Sequence, residues 1–256
     1  MSQSQIDVDS LLKDMETRVA RVPNLFLLDT SSSMRGERIK KVNNGLKQFV
    51  NEVGQDDEAE WAIDVSIVSF GGNVSVEQDF RPISDAWIDD NGDPDPPQMN
   101  ASGGTPMCKG IVEGLEHLEE YKSILDDQGV SRKRALVWLL TDGEPNQGPG
   151  TDDWNAAQDL IKNGTEETEK KNPHMFFFAA GVGSDAGTDR LAELVSAGND
   201  DVVEAFDLKE HMFEEVFEVA SKSAKGSASG DGGETTEDVL PDDISESDES
   251  DGSGQI

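Results

Sequence analysis

The segment Asp29-Thr-Ser-Ser-Ser-Met34 follows directly on the apolar run Leu25-Phe-Leu-Leu28. It sets one carboxylate and two hydroxyls, Asp29, Ser31 and Ser33, on a turn where a buried strand gives way to a helix. All three are hard oxygen donors, of the kind that suits Mg²⁺, Mn²⁺ or Ca²⁺ rather than zinc. Two further segments carry the same chemistry. Gly103-Gly104-Thr105 is a glycine-permitted turn delivering one hydroxyl at a helix start, and Thr141-Asp142-Gly143 places a carboxylate at the end of a second buried strand. Ligands of doubly wound sheets sit outside the carboxyl ends of the strands, so the three segments are expected to meet there. Asp29, Ser31, Ser33, Thr105 and Asp142 then offer two anionic and three neutral oxygens, suited to an octahedral Mg²⁺ that keeps some of its water. Each piece alone has an ordinary reading: Ser33 or a neighbour as a helix cap, Thr105-Pro106 as a helix start with Thr as cap, Asp142-Gly143 as a turn dipeptide. Their joint occurrence, each at a strand end or a helix start, favours the metal site.

The elements that must position these groups follow from hydrophobic spacing. Residues 24–28, 134–140 and 175–180 are largely apolar runs, polar only at Asn24 and Arg134, expected to be strands buried on both faces. Residues 62–70 read as another strand, and after Gly71-Gly72-Asn73 the alternation of 74–80 predicts an antiparallel partner at the sheet edge. Ile39, Val42, Leu46, Phe49, Val50 and Val53 form one face of a helix over 36–53. Ile111, Leu115 and Leu118, extended by Ile124 and Leu125, do the same after Thr105. Thr151 starts a further helix, with Asp152 and Asp153 favourably placed against its dipole. Residues 189–196, 202–206 and 210–221 complete a helix, strand, helix series, and 84–104 is a long loop. Strands alternating with helices imply an α/β, Rossmann-like doubly wound fold. Its mostly parallel six-stranded sheet has one antiparallel edge strand and helices on both faces. A helix over residues 9–21 is expected before this core, giving an N-terminal extension over 1–22 and a domain over 23–224. The Ser-, Gly- and acid-rich residues 225–256 are expected to be a disordered tail.

Composition narrows the classes of function. The chain has 54 acidic and 21 basic residues, a formal net charge of −33, with only 34% hydrophobic residues. The ten acids after Lys225 leave 44 acidic against 21 basic residues, or −23, over positions 1–225. Such a surface repels phosphate backbones, so a nucleic-acid partner is not expected. The excess also suits a halophilic setting, in which dense salt screens the self-repulsion. A single cysteine, Cys108, excludes an internal disulfide and fits a reducing compartment. No apolar stretch approaches membrane-spanning length and the N-terminus shows no signal-peptide pattern, so the expectation is a cytoplasmic protein without a membrane role. Cys108 lies in the first turn of a helix, where a thiol can be activated, although core filling is the simpler role. His117, His174 and His211 lack ligand spacing, and Trp61 and Trp138 fit packing roles.

The pattern Asp29-x-Ser31-x-Ser33, then Thr105, then Asp142-Gly143 resembles the metal-ion-dependent adhesion site of von Willebrand factor type A domains. Within that family the chain is most similar to the bacterial TerY-type proteins of tellurite-resistance operons. Val42-Asn-Asn-Gly45-Leu46, and Thr141-Asp-Gly-x-Pro145 followed by Thr151-Asp-Asp-Trp154, carry that similarity. The resemblance implies a non-enzymatic protein-interaction module. Ser31, Ser33 and Thr105 would bind the metal directly, Asp29 and Asp142 would act largely through water, and a partner's carboxylate would complete the coordination. It also implies a scaffold or regulator working beside phosphatase and kinase-like proteins in stress-response clusters. Ser32 stands where the subgroup usually has Gly, and a turn needing positive φ would make Ser costly. Rival readings are a haloacid-dehalogenase-type phosphohydrolase, which needs a carboxylate where Ser31 stands, and a chelatase-type subunit acting with a separate ATPase. A third is a structural protein whose metal only staples loops. The partner and the oligomeric state are not legible in the residues.

Overall fold

A computed structural model describes residues 19–83, 87, 93–167, 174–182, 187–208 and 213–229. Its first strand, β1 (Val22–Asp29), is buried along its whole length, because the strand lies inside the sheet with a layer of helices on either side. Alternate side chains divide between the layers: Phe26 and Leu28 enter one core, Leu25 and Leu27 the other. The chain continues through α1 (Glu37–Val53), the short α2 (Asp57–Ala62), β2 (Ile63–Gly71), β3 (Asn73–Pro82), α3 (Met107–Asp127) and β4 (Ala135–Thr141). The described residues continue with α4 (Asp152–Thr165), β5 (Met175–Val182), α5 (Gly187–Val195), β6 (Val203–Leu208) and α6 (Phe213–Ser229).

The sheet order is β3-β2-β1-β4-β5-β6. Every pairing is parallel except β2 with β3, as the alternation of elements predicts. The edge strand β3 pairs with register shifts near Ile67, an irregularity that discourages pairing with another chain. Residues of α1, α2 and α6 pack on the face carrying Phe26, Trp138 and Phe178, and those of α3, α4 and α5 on the face carrying Leu25, Val137 and Phe177. Gly45 lets α1 and α6 approach closely: a β-carbon there would lie 2.1 Å from the Phe217 ring. The amino edge of the sheet is closed by a buried ion pair. Arg21 donates from Nε to Asp64 Oδ2 at 2.7 Å and from its terminal nitrogen to Oδ1, while the Tyr121 hydroxyl donates to Oδ2 at 2.6 Å. One guanidinium thus answers one carboxylate, as a buried charge requires.

Several local expectations are corrected. The short α2 has too few residues to show a helical period. Asp56 nonetheless caps it, accepting from Glu58 N at 3.1 Å and Ala59 N at 3.0 Å. Thr105 does not cap α3: Pro106 occupies the cap position and the helix begins at Met107 without a side-chain cap bond. Ile124 points to solvent while Leu125 is buried. Trp138 is buried and stacks on Phe178 at 4.3 Å, but Trp61 is half exposed and packs into no core. The last helix runs on to Ser229, five residues into the segment assigned to the tail. Its small residues Ala224 and Ala228 are buried, and Lys133 Nζ donates to the final carbonyls of Ser227 and Ala228. Arg21 forms an isolated parallel bridge with Arg132 rather than ending a helix. Most of the expected helix over 9–21, namely residues 9–18, and the tail beyond Ser229 lie outside the described residues.

Candidate metal centre

At the carboxyl edge of β1 and β4, the last residue of one strand meets the last residue of its neighbour. Thr141 Oγ1 donates to Asp29 Oδ2 at 2.6 Å, and the Ser31 amide donates to Asp29 Oδ1 at 2.7 Å. Both oxygens of this fully buried carboxylate are therefore held. A run of contacts continues outward. Ser31 Oγ and Ser33 Oγ are 2.8 Å apart, Ser33 Oγ donates to Asp142 Oδ1 at 2.7 Å, and Arg38 Nη1 donates to Asp142 Oδ2 at 2.5 Å. Four of the five candidates form one hydrogen-bonded chain, although Ser33 and Asp142 are 109 residues apart.

The fifth candidate, Thr105, arrives through its backbone. Ser32 N donates to Gly103 O at 3.0 Å, Ser102 N to Thr30 O at 2.7 Å, Gly72 N to Gly104 O at 2.9 Å, and Asn146 N to Thr105 O at 3.0 Å. These bonds fasten the 102–105 loop to the Asp29–Ser33 turn, to the β2–β3 turn at Gly72 and to the loop after β4. Gly103 has φ of +76°, and a β-carbon on it would lie 2.3 Å from Gly72 Cα, so the loops meet only because both positions are bare. Further back, Asn43 on α1 clamps the same loop, donating to Met99 O at 3.0 Å and accepting from Met99 N at 2.7 Å. Thr105 Oγ1 makes no hydrogen bond to the other four side chains among the described residues. Ser32 opens a 3-10 turn, Ser32–Met34. That right-handed turn needs no positive φ, so serine at position 32 carries no backbone cost.

The electrostatics of this edge differ from those of the amino edge. Burial is the largest influence on Asp29 and pushes its carboxyl above the ordinary range. Bonds from Thr141 and Ser31 pull it down, and the negative charge of Asp142 adds to the upward push. The hydrogen-bonded chain holds two carboxylates but one guanidinium, leaving one negative charge unanswered where the Arg21–Asp64 pair leaves none. Exposure grades outward from Asp29 at 0% through Ser31 at 2% and Thr105 at 8% to Ser33 at the surface, so the cluster opens to solvent at its hydroxyl end. Among the described residues no three His, Cys, Asp or Glu side chains group as metal ligands. Any cation here would rest mainly on hydroxyls. Hard neutral oxygens, with an excess anionic charge behind them, fit Mg²⁺ or a related ion.

Two side chains that sequence reasoning left without a role hold this cluster in place. Thr141 orients Asp29, and its signal was a hydroxyl on the strand residue just before Asp142. Arg38 orients Asp142 across 104 residues, a separation no local pattern reveals. Cys108 is fully buried, and burial, with a smaller push from Asp153, raises its thiol to about 11. It is core filling. His117 stacks on Phe80 at 5.2 Å, apart from this chain of contacts.

The family model for the von Willebrand factor type A domain matches residues 25–218, well over half of the chain. Inter-alpha-trypsin inhibitor heavy chain H1 of Sus scrofa is 25% identical over 126 residues, which is 48% of this chain and 13% of that protein. Among solved structures, the von Willebrand factor type A protein of Catenulispora acidiphila superposes with a TM-score of 0.55 at 15% identity, covering 81% of this chain and 43% of that one. The pilus adhesin SpaC of Lactobacillus rhamnosus GG gives 0.56 at 16% identity, over 82% of this chain and 30% of that one. The chain therefore spans less than half the length of each of these, and the structural likenesses speak for the fold alone. No helix among the described residues is long and apolar enough to cross a membrane. By its family model and its architecture, the chain belongs to the von Willebrand factor type A domain family.

Proposed function

We propose that this chain is a non-catalytic interaction module that captures a carboxylate of a protein partner through a Mg²⁺-class cation, with Mn²⁺ or Ca²⁺ as alternatives. Ser31, Ser33 and Thr105 would hold the ion through their hydroxyls, and Asp29 and Asp142 through water. When bound, the ion supplies a positive contact for an external acid, little weakened because its direct protein ligands are neutral. The observation that carries the reading is the outward-opening cluster of Asp29, Ser31, Ser33 and Asp142, with one carboxylate more than it has guanidinium. The fastening of the Thr105 loop beside it adds support. One similar structure is named a pilus adhesin, in keeping with adhesive use of the fold. Ser31 stands where a dehalogenase-type phosphohydrolase needs its second carboxylate, so the enzymatic alternative lacks its proton donor.

The finer reading is a cytoplasmic scaffold or regulator of a stress-response system akin to tellurite resistance, in a salt-rich cell. It rests on the sequence resemblance and the charge of −33. Affinity capture from the native host in Mg²⁺ and in EDTA tests the interaction. A partner retained in Mg²⁺ and lost both in EDTA and with Thr105→Ala supports it. Retention unaffected by either change overturns it, and loss in EDTA alone reduces the metal to a staple between loops.

A further inference from the structure

Asp142 divides its two oxygens. Oδ1 accepts from Ser33, inside the candidate metal centre, while Oδ2 accepts from Arg38 on the first turn of α1. The Asp142 side chain has no exposed area and that of Arg38 is 27% exposed, so the guanidinium lies between the buried carboxylate and solvent. A cation fixed there does two opposing things. It neutralises part of the charge that attracts a metal ion, and it stays beside the site once the ion has entered. Two carboxylates and one guanidinium sum to −1, and a divalent ion brings the cluster to +1. Without Arg38 the loaded cluster would be neutral. The charge of such a residue works against a site built only to hold a metal, whereas it serves a site built to attract an acid through the metal.

We propose that Arg38 sets the selectivity of this centre for an anionic ligand, lowering its affinity for the bare cation and raising the loaded site's affinity for a carboxylate. The inference rests on the metal-dependent reading above, and it assigns the positive charge that draws in the acid partly to the protein itself. Arg38 also keeps Asp142 turned with Oδ1 toward Ser33, so it is a positioning residue as well as a charge.

The two effects have opposite signs, which makes them separable. Mn²⁺ binding would be followed by calorimetry at fixed ionic strength. Acetate, as the carboxylate probe, would be followed by the loss of water-proton relaxation enhancement as it displaces water from bound Mn²⁺. Arg38→Gln is expected to tighten Mn²⁺ on the order of tenfold and to weaken acetate severalfold, and Arg38→Lys to stay near wild type in both. Melting in EDTA gives a metal-independent reading, in which Arg38→Gln melts below wild type because Asp29 and Asp142 then face each other without a counter-charge. Mn²⁺ affinity unchanged or weaker in Arg38→Gln, with acetate unaffected, overturns this inference alone. Failure of wild type to bind Mn²⁺ overturns the metal-dependent reading with it.

Discussion

Thr141→Val tests whether the Asp29 carboxylate is held charged in the core by the hydroxyl of the neighbouring strand. Thr141 is 1% exposed and Asp29 0% exposed, and the 2.6 Å bond joins them where water does not substitute. A hydrogen bond to a charged group contributes about 1.5–3 kcal/mol, and a neutral one about 0.5–1.5 kcal/mol. In EDTA near neutral pH the variant is therefore expected to lose about 1.5–3 kcal/mol in urea unfolding. That loss should shrink as pH falls and Asp29 takes up its proton. The carboxyl is pushed up mainly by burial, so the change comes at a higher pH than for an ordinary aspartate. Valine also removes the contact between Thr141 Oγ1 and the Gly143 amide, 3.2 Å long. The same substitution in an Asp29→Asn background isolates the charged bond, and the cycle should show a coupling of about 1 kcal/mol or more. A loss below about 0.5 kcal/mol, or one that is the same at every pH and in both backgrounds, would refute this account of Asp29.

Gly45→Ala should lower the urea midpoint by about 1–2 kcal/mol of stability, because a β-carbon 2.1 Å from the buried Phe217 ring outweighs the gain in helix propensity. A stabilised variant would show that α1 and α6 can separate without cost. Cys108 should resist a thiol reagent at pH 8 until the protein is unfolded. Its folded pKa, about 11, lies above the unfolded value of about 8.5, so its contribution to stability is complete below that lower value and lost as pH rises toward about 11. Cys108→Ala should remove that alkaline slope, and an identical slope in the variant would contradict the assignment. With a net charge of −33, the melting temperature should climb by roughly 5 °C or more between low and molar potassium chloride. A flat profile would remove the salt-rich reading.

The buried strands were legible because continuous apolar runs such as Leu25–Leu28 and Leu136–Leu140 satisfy two helix layers at once. The three loops of the candidate centre were legible for a related reason: a parallel sheet brings its strand ends to one edge, so Asp29 and Asp142 had to be neighbours. What the residues did not disclose depends on contacts distant in sequence or on short elements. Arg38 resembles any solvated charge until α1 is laid beside the loop after β4. The cap formed by Asp56 stabilises a helix too short for a hydrophobic period. Beyond Ser221, serine, glycine and alanine resemble a linker, yet Ala224 and Ala228 are the small residues that let α6 stay packed on the sheet. Pro106 in the cap position, with Thr105 freed from capping, follows from the loop's bonds to Ser32, Gly72 and Asn146, which fix the backbone before the helix begins.

The central claim, that these oxygens form one divalent-cation site, is tested most directly by calorimetric titration of the full chain with Mg²⁺ and Mn²⁺ beside Asp29→Ala. The account predicts a single site in the wild-type chain and its loss in the variant, with folding of both checked by circular dichroism. No binding to the folded wild-type chain, or equal binding to both proteins, would contradict it.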